Sequence, residues 1–245
     1  MDAQLAQYLM NWLVLGSIYT LVALGFSLLF GVLDVIHFSH GDVSIVAPFV
    51  VLATVQALIS TVLPADSIAA LVLACAVAIV AVGLVGVLLD WLVIRRFRNA
   101  PAMMALVATV ALGTVVRELI RTFYPQGSNP KPFPRLIESS VTFGDLPVPL
   151  FSLFVIGVSV LMVAVLFMVM GHTRLGLRIR AVAEDRNIAR LMAIRPDRIF
   201  AVTFFIASAV GAIGGIFFAS YAGVVRFDFG VQLGLIGFSA AVIGG

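Results

Sequence analysis

The chain has 245 residues, of which 62% are hydrophobic and 11% charged, with a formal net charge of +3; soluble globular domains carry about 25% charged residues. So few polar side chains cannot coat the apolar surface of a water-soluble fold, and a mean hydropathy of +1.17 excludes a disordered chain too. Cys75, the one cysteine, sits in an apolar run, which excludes a disulfide framework and a cysteine-based zinc site. The chain reads as an all-α polytopic membrane protein with a single transmembrane domain over residues 1–245.

A helix needs about 20 apolar residues to cross roughly 30 Å of hydrocarbon. Residues 9–33 meet that length without a charge. Ahead of them, residues 1–7 hold Asp2 and no basic residue, so the first run is expected to be a retained span and not a cleaved signal. On this span Ser17, Thr20, Ser27 and Gly31 share one helical stripe with Leu24. Such a stripe either lines a solute path or marks a helix–helix seam.

A polar cluster follows, His37-Phe38-Ser39-His40-Gly41-Asp42. Read as a metal site, His37, His40 and Asp42 would still need an acidic or carbonyl second shell, and the third histidine, His172, lies in another loop, so metal binding is a poor reading. The segment reads better as a tight polar break, with Gly41 allowing the turn and Asp42 capping the next helix. His37 and His40 are kept as candidates for a translocation path. No metal or other cofactor is expected.

The next runs are 43–63 and 67–89, then 101–116, which is short and is expected to recruit residues 117–121 by snorkelling. The loop 124–149 holds six prolines, and its segments 141–143 and 146–148 flank Gly144-Asp145 as a hairpin would. It either docks an external protein or simply connects spans. Run 150–170 leads into the loop 171–198, and run 199–222 follows it. In that last run Gly211, Gly215 and Ala219 form a small-residue ridge suited to close helix packing. A seventh run begins at Leu233 and reaches only about 20 Å by its end. Six complete spans and the start of a seventh are therefore expected, in a chain cut inside a helix.

As bounded, the six spans contain no Asp, Glu, Lys, Arg or His; Asp34, Asp42 and Asp90 fall at span ends. Ion-coupled transporters generally need an ionisable group at membrane depth, so this counts against self-powered transport. No phosphate-binding loop of the form G-x-x-x-x-G-K-[ST] exists, and the only lysine is Lys131. Energy for uphill transport would come from another polypeptide, and the chain is not expected to be an enzyme. Ten of its fifteen basic residues lie in segments 95–98 and 174–198. Basic loops stay on the cytoplasmic side, which puts the N-terminus outside and loop 171–198 inside. Nucleic-acid binding is a poor explanation for these charges.

Within 171–198, Asp185 reads as the N-cap of a short helix on which Ile188, Leu191 and Met192 share a face, limited by Pro196. That face either docks a cytosolic partner or rests on anionic lipid.

Arg180-Ala181-Val182-Ala183-Glu184-Asp185 followed by Ala189-Arg190-Leu191-Met192 resembles the cytoplasmic signature of the branched-chain amino-acid ABC transporter permeases. Thr203-Phe204 through Gly215, the block Gly237–Gly245, the first-span residues Asn11 and Gly16-Ser17-Ile18-Tyr19-Thr20-Leu21, and the 35–42 break are similar to that family in the same order. The resemblance implies a bacterial inner-membrane permease subunit that works with a second permease, two cytosolic ATPases and a periplasmic solute-binding protein. It further implies that Glu184, Asp185, Ile188, Arg190, Leu191 and Met192 couple the subunit to the ATPase. The family usually carries Asn at His37, Ala at Ser39, Glu at Asp42 and Gly at Ala193. Those departures leave urea or short amides as alternative solutes to branched-chain amino acids. A passive channel or non-transporting scaffold is the alternative of another class.

Overall fold

In hydrocarbon a backbone satisfies its N–H and C=O groups only within the segment itself, so each long apolar run becomes a helix. The computed structural model describes residues 3–33, 37–61, 68–98, 100–137, 139–143 and 146–244. Helices α1 (Ala3–Leu33), α2 (His40–Thr61), α3 (Ile68–Phe97), α4 (Ala102–Phe123) and α5 (Leu150–His172) come first. Two short helices, α6 (Arg174–Glu184) and α7 (Arg186–Leu191), precede α8 (Pro196–Ala222) and α9 (Phe229–Gly244). Six of these, α1 to α5 and α8, are long and apolar enough to cross a membrane. The protein is an all-α polytopic membrane protein.

The most buried of the spans is α8, which is surrounded on three sides. Gly214 faces Leu21 and Val22 of α1, Gly211 and Gly215 face Ser44 of α2, and Ser208 and Phe205 fill the space left by Gly86 and Gly83 of α3. Small side chains bring the backbones close, which is the main source of helix association where lipid tails match the side chains in polarity. Outside this core α5 leans on α1, where Ser159 Oγ donates to the Ser17 carbonyl at 3.1 Å. Helix α9 presses Gly237 against Val22.

Several helix ends lie a few residues from the sequence reading, and two of them bear on the rest of the fold. Helix α4 runs on to Phe123 and carries Arg117, Glu118 and Arg121 at its end, as the snorkelling argument anticipates. Helix α2 begins at His40, earlier than the expected residue 43. The polar run before it is no surface turn: His37, Ser39, His40 and Asp42 are all buried. His40 stands against Gly211, midway along α8, and against Gly25, about 12 Å short of the end of α1 at 1.5 Å per residue. The break re-enters the bundle. Ionisable groups therefore do lie at depth, and the expectation that the spans exclude them is overturned at His40 and Asp42. Gly41 serves close approach and not a turn, since it lies in the first turn of α2 against the backbones of Gly230 and Gly234. Nor is Asp42 the cap: Ser39 holds that place, its carbonyl accepting from the Val43 N–H at 2.9 Å.

Near its end α3 widens into a π-helical turn at Asp90–Ile94. Beyond α4, strands β1 (Lys131–Pro132), β2 (Ser140–Phe143), β3 (Leu146–Pro149) and β4 (Val224–Val225) give the proline-rich loop its form. The expected hairpin forms between β2 and β3, pairing Val141 with Val148; its tip, Gly144-Asp145, lies outside the described residues. β1 pairs with β4, and the Leu136 N–H donates to Ser220 Oγ at 3.1 Å, so the loop is tied to the end of α8. Gly223 closes α8 with φ 69°, a left-handed conformation that favours glycine.

The contact at Gly41 is testable. A methyl group there would meet backbone on the opposing helix, which cannot swing aside, so Gly41→Ala should destabilise the purified protein by about 1–3 kcal/mol. Gly157→Ala, where nothing stands within 4 Å, should be neutral or stabilising by up to about 1 kcal/mol. Thermal unfolding in detergent compares the two.

Candidate functional site

The segment between α5 and α8 folds into two helices, one more than the sequence reading expects. Its first helix, α6, escapes notice because its arginines read as loop; its buried residues Gly176, Ile179 and Val182 show the face that packs. Thr173 caps it, Oγ1 accepting from the Gly176 N–H at 3.1 Å. Asp185 ends α6 and caps α7, as expected, with Oδ1 accepting from the N–H groups of Asn187 (2.6 Å) and Ile188 (2.9 Å). Ala189 faces the core while Ile188, Leu191 and Met192 stand 58%, 87% and 68% exposed, beside exposed Glu184 and Arg190. So large an apolar tip on so short a helix has no apolar cover among the described residues.

The far end of α7 closes through a glycine-type turn made without glycine. The Ile194 N–H donates to the Ala189 carbonyl (3.0 Å) and the Ala193 N–H to the Arg190 carbonyl (3.1 Å). Ala193 takes φ 59°, which costs an L-residue roughly 1–2 kcal/mol.

Beneath α7 lies a charge cluster that the sequence reading missed. Arg98 bonds Asp90 and donates to Asp197 at 2.9 Å, and Arg95 donates to Asp197 at 2.8 Å. The Arg98–Asp90 pair is buried, with Arg98 stacked 3.8 Å over the Phe200 ring. Two cues were present, a lone Asp at a span end and an Arg eight residues on, but the π turn that sets their geometry leaves no local pattern.

The candidate path residues do not converge. Ser17 gives its carbonyl to Ser159, and Thr20 Oγ1 donates back to the Gly16 carbonyl at 2.8 Å. Ser27 is exposed, with Gly31, on a groove of about 580 Å³ that also touches Arg180 of α6. His37 and His40 instead lie among α2, α4 and α8. His37 Nε2 is 2.9 Å from Ser39 Oγ, and the ring stands edge-on to Phe204. His40 is wedged beside Gly25 and Gly211 with its ring edge-on to Phe26. Asp42 reaches Arg117 of α4 at 3.7 Å. These three chemistries point to three different partners, which is not how metal ligands are arranged. Gly211, Gly215 and the fully buried Ala219 form the expected packing ridge, its two glycines against the first turns of α2.

Residues 8–245 match the family described as branched-chain amino acid transport system, permease component. The chain belongs to this family. BraD of Pseudomonas aeruginosa, named a high-affinity branched-chain amino acid transport system permease protein, is 26% identical over 98% of this chain and 78% of its own length. LivH of Escherichia coli K12 and of Salmonella typhimurium, which carry the same description, are each 28% identical with the same coverage. No solved structure matches the chain. The protein is thus a permease subunit, a transporter component and not an enzyme, built as a multi-pass membrane protein.

The two ends of α7 predict opposite effects of small substitutions. Asp185→Ala removes a cap and should cost about 1 kcal/mol, whereas Ala193→Gly relieves a left-handed alanine and should gain up to about 1 kcal/mol. Thermal unfolding of the purified permease reads both shifts.

Proposed function

We propose that this permease forms part of the translocation path of an importer for branched-chain or closely related amino acids in the bacterial inner membrane. Separate cytosolic ATPases drive it, a second permease completes the path, and a periplasmic binding protein delivers the solute. The carrying observation is the exposed apolar tip Ile188, Leu191 and Met192 on a helix capped at both ends, which is the form of a dock for a partner protein. Glu184, Asp185 and Arg190 complete that coupling surface. Of the candidate path residues, Ser27 lines the path in this reading, on the groove along α1 that reaches Arg180, while Ser17, Thr20, His37 and His40 are held in packing contacts away from it. The basic bias of the 174–198 segment supports a cytosolic α7 and an external N-terminus.

Two experiments test this reading. In a Cys75→Ala background, cysteine at exposed Ser128 should react with an impermeant maleimide on intact cells, and cysteine at exposed Asn187 should not; the reverse pattern overturns the topology. In the reconstituted importer, Leu191→Asp should abolish solute-stimulated ATP hydrolysis while the subunit still inserts, because an unpaired carboxylate buried in an apolar contact costs several kcal/mol. Asp185→Ala should give a partial loss. A passive channel predicts no ATPase copurifying with the subunit, whereas a helix that merely rests on lipid predicts no change in ATP hydrolysis in either variant. Competition between leucine and urea for uptake assigns the solute.

A further inference from the structure

The cytosolic ends of α1, α3 and α8 meet under α7 around the Phe200 ring, with the Arg98 guanidinium at 3.8 Å from its centroid and that of Arg186 at 5.2 Å. Arg186 is the first residue of α7, and its two terminal nitrogens donate to two carbonyls, that of Arg98 at 3.2 Å and that of Leu33 at 3.1 Å. A planar guanidinium serves two acceptors in fixed directions, which a lysine ammonium does not reproduce. Leu33 is the last residue of α1 and so forms the near side of the α1–α2 break. His37 belongs to the far side.

Between the two sides lies a cavity of about 20 Å³, lined among others by Leu33, His37, Arg98, Ala105 and Thr109. One water needs about 10–15 Å³ on the same measure and two to four polar partners. Two buried polar atoms of the lining residues have no hydrogen-bond partner among the described residues, Arg98 Nε and His37 Nδ1. Arginine Nε–H can only donate. His37 Nε2 lies 2.9 Å from Ser39 Oγ, and the other ring nitrogen, Nδ1, accepts or donates according to the tautomer. A water that accepts from Arg98 Nε–H and either donates to or accepts from His37 Nδ1 satisfies both, with the Thr109 hydroxyl on the same wall.

We propose that Arg186 and Arg98 grip the two sides of the α1–α2 break, Arg186 directly on the Leu33 carbonyl and Arg98 through one bound water on the His37 ring, so that displacement of α7 passes to the start of α2. Both arginines are positioning residues, and the inference rests on the reading of α7 as the ATPase dock. The ring of Phe200 holds the two guanidinia together, so neither side of the break moves independently of the other.

The test uses the whole importer in proteoliposomes and reads three quantities: ATPase copurification, the ratio of solute-stimulated to basal ATP hydrolysis, and uptake. Arg186→Lys keeps the charge and loses the two-carbonyl fork. Ala105→Val narrows the cavity and expels the water while leaving every polar partner in place. In both, the ATPase should copurify while the ratio falls to unity and uptake is lost; exposed Arg198→Lys should change nothing. A wild-type ratio in either Arg186→Lys or Ala105→Val overturns the proposal. Should Arg186→Lys fail to accumulate, Ala105→Val decides alone by the same two outcomes. A density map of the unsubstituted complex that resolves ordered water should place one molecule within hydrogen-bond reach of Arg98 Nε and His37 Nδ1, and a dry cavity overturns the Arg98 arm. If no ATPase copurifies with the unsubstituted chain, the functional reading itself has failed, and this inference falls with it.

Discussion

The closeness with which α8 lets its neighbours approach governs the rest of the molecule. Between helices in lipid there is no hydrophobic gain to exploit, so association rests on dispersion contacts and polar bonds at short range. Gly211 and Gly215 present one face of α8 to the first turns of α2, Gly214 presents another to α1, and Ser208 and Phe205 seat into glycines of α3. A side chain larger than hydrogen at Gly215 would strike the Ser44 carbonyl, a backbone atom with nowhere to go. The start of α2 is held deep in the bundle because α8 offers it a surface without side chains, and Gly41 meets Gly230 and Gly234 of α9 on its other side.

That depth has a cost in polar groups, and the break satisfies most of it locally. Irregular backbone inside a membrane survives only where protein or a water-lined cavity serves its N–H and C=O groups. Here the His40 N–H donates to the His37 carbonyl at 3.1 Å, the Phe38 N–H to Thr109 Oγ1 at 3.3 Å, and the Val43 N–H to the Ser39 carbonyl at 2.9 Å. Side chains are less well served, since both ring nitrogens of His40 and one oxygen of Asp42 lack a hydrogen-bond partner. Ionisable groups buried at this depth are expensive and mark function more often than packing.

The spans were legible because their signal is long and one-dimensional: a run of about 20 apolar residues has few other fates. The hairpin β2–β3 and the Asp185 cap were legible for the opposite reason, each being a short pattern whose hydrogen bonds close within a few residues. What stayed hidden depends on contacts distant in sequence. A polar string such as His37–Asp42 reads as a surface turn until Gly211, Gly230 and Gly234 are known to lie against it. Asp90 and Arg98 form a buried pair only through a π turn, whose extra residue leaves no periodic trace. Helix α6 was read as basic loop because its charge outweighs the three buried positions that make it a packed element.

The arginines around α7 show how one residue type divides its work by burial. Arg98, enclosed at 7% side-chain exposure, needs both Asp90 and Asp197 because an unpaired guanidinium there would cost several kcal/mol. Arg190, exposed on α7, needs no such partner and is available to whatever meets the helix. Arg186 stands between these cases, its two terminal nitrogens reaching the carbonyls of Arg98 and Leu33 at the base of α7. Ala189 packs that base into the core while Leu191 and Met192 stand clear at the tip. A six-residue helix on its own would fray, since one turn of hydrogen bonds does not offset the entropy of ordering it. With Asp185 closing its first turn and the Ala193 turn its last, α7 has the end groups of both turns bonded, which is what the proposed transfer of a load from tip to base requires.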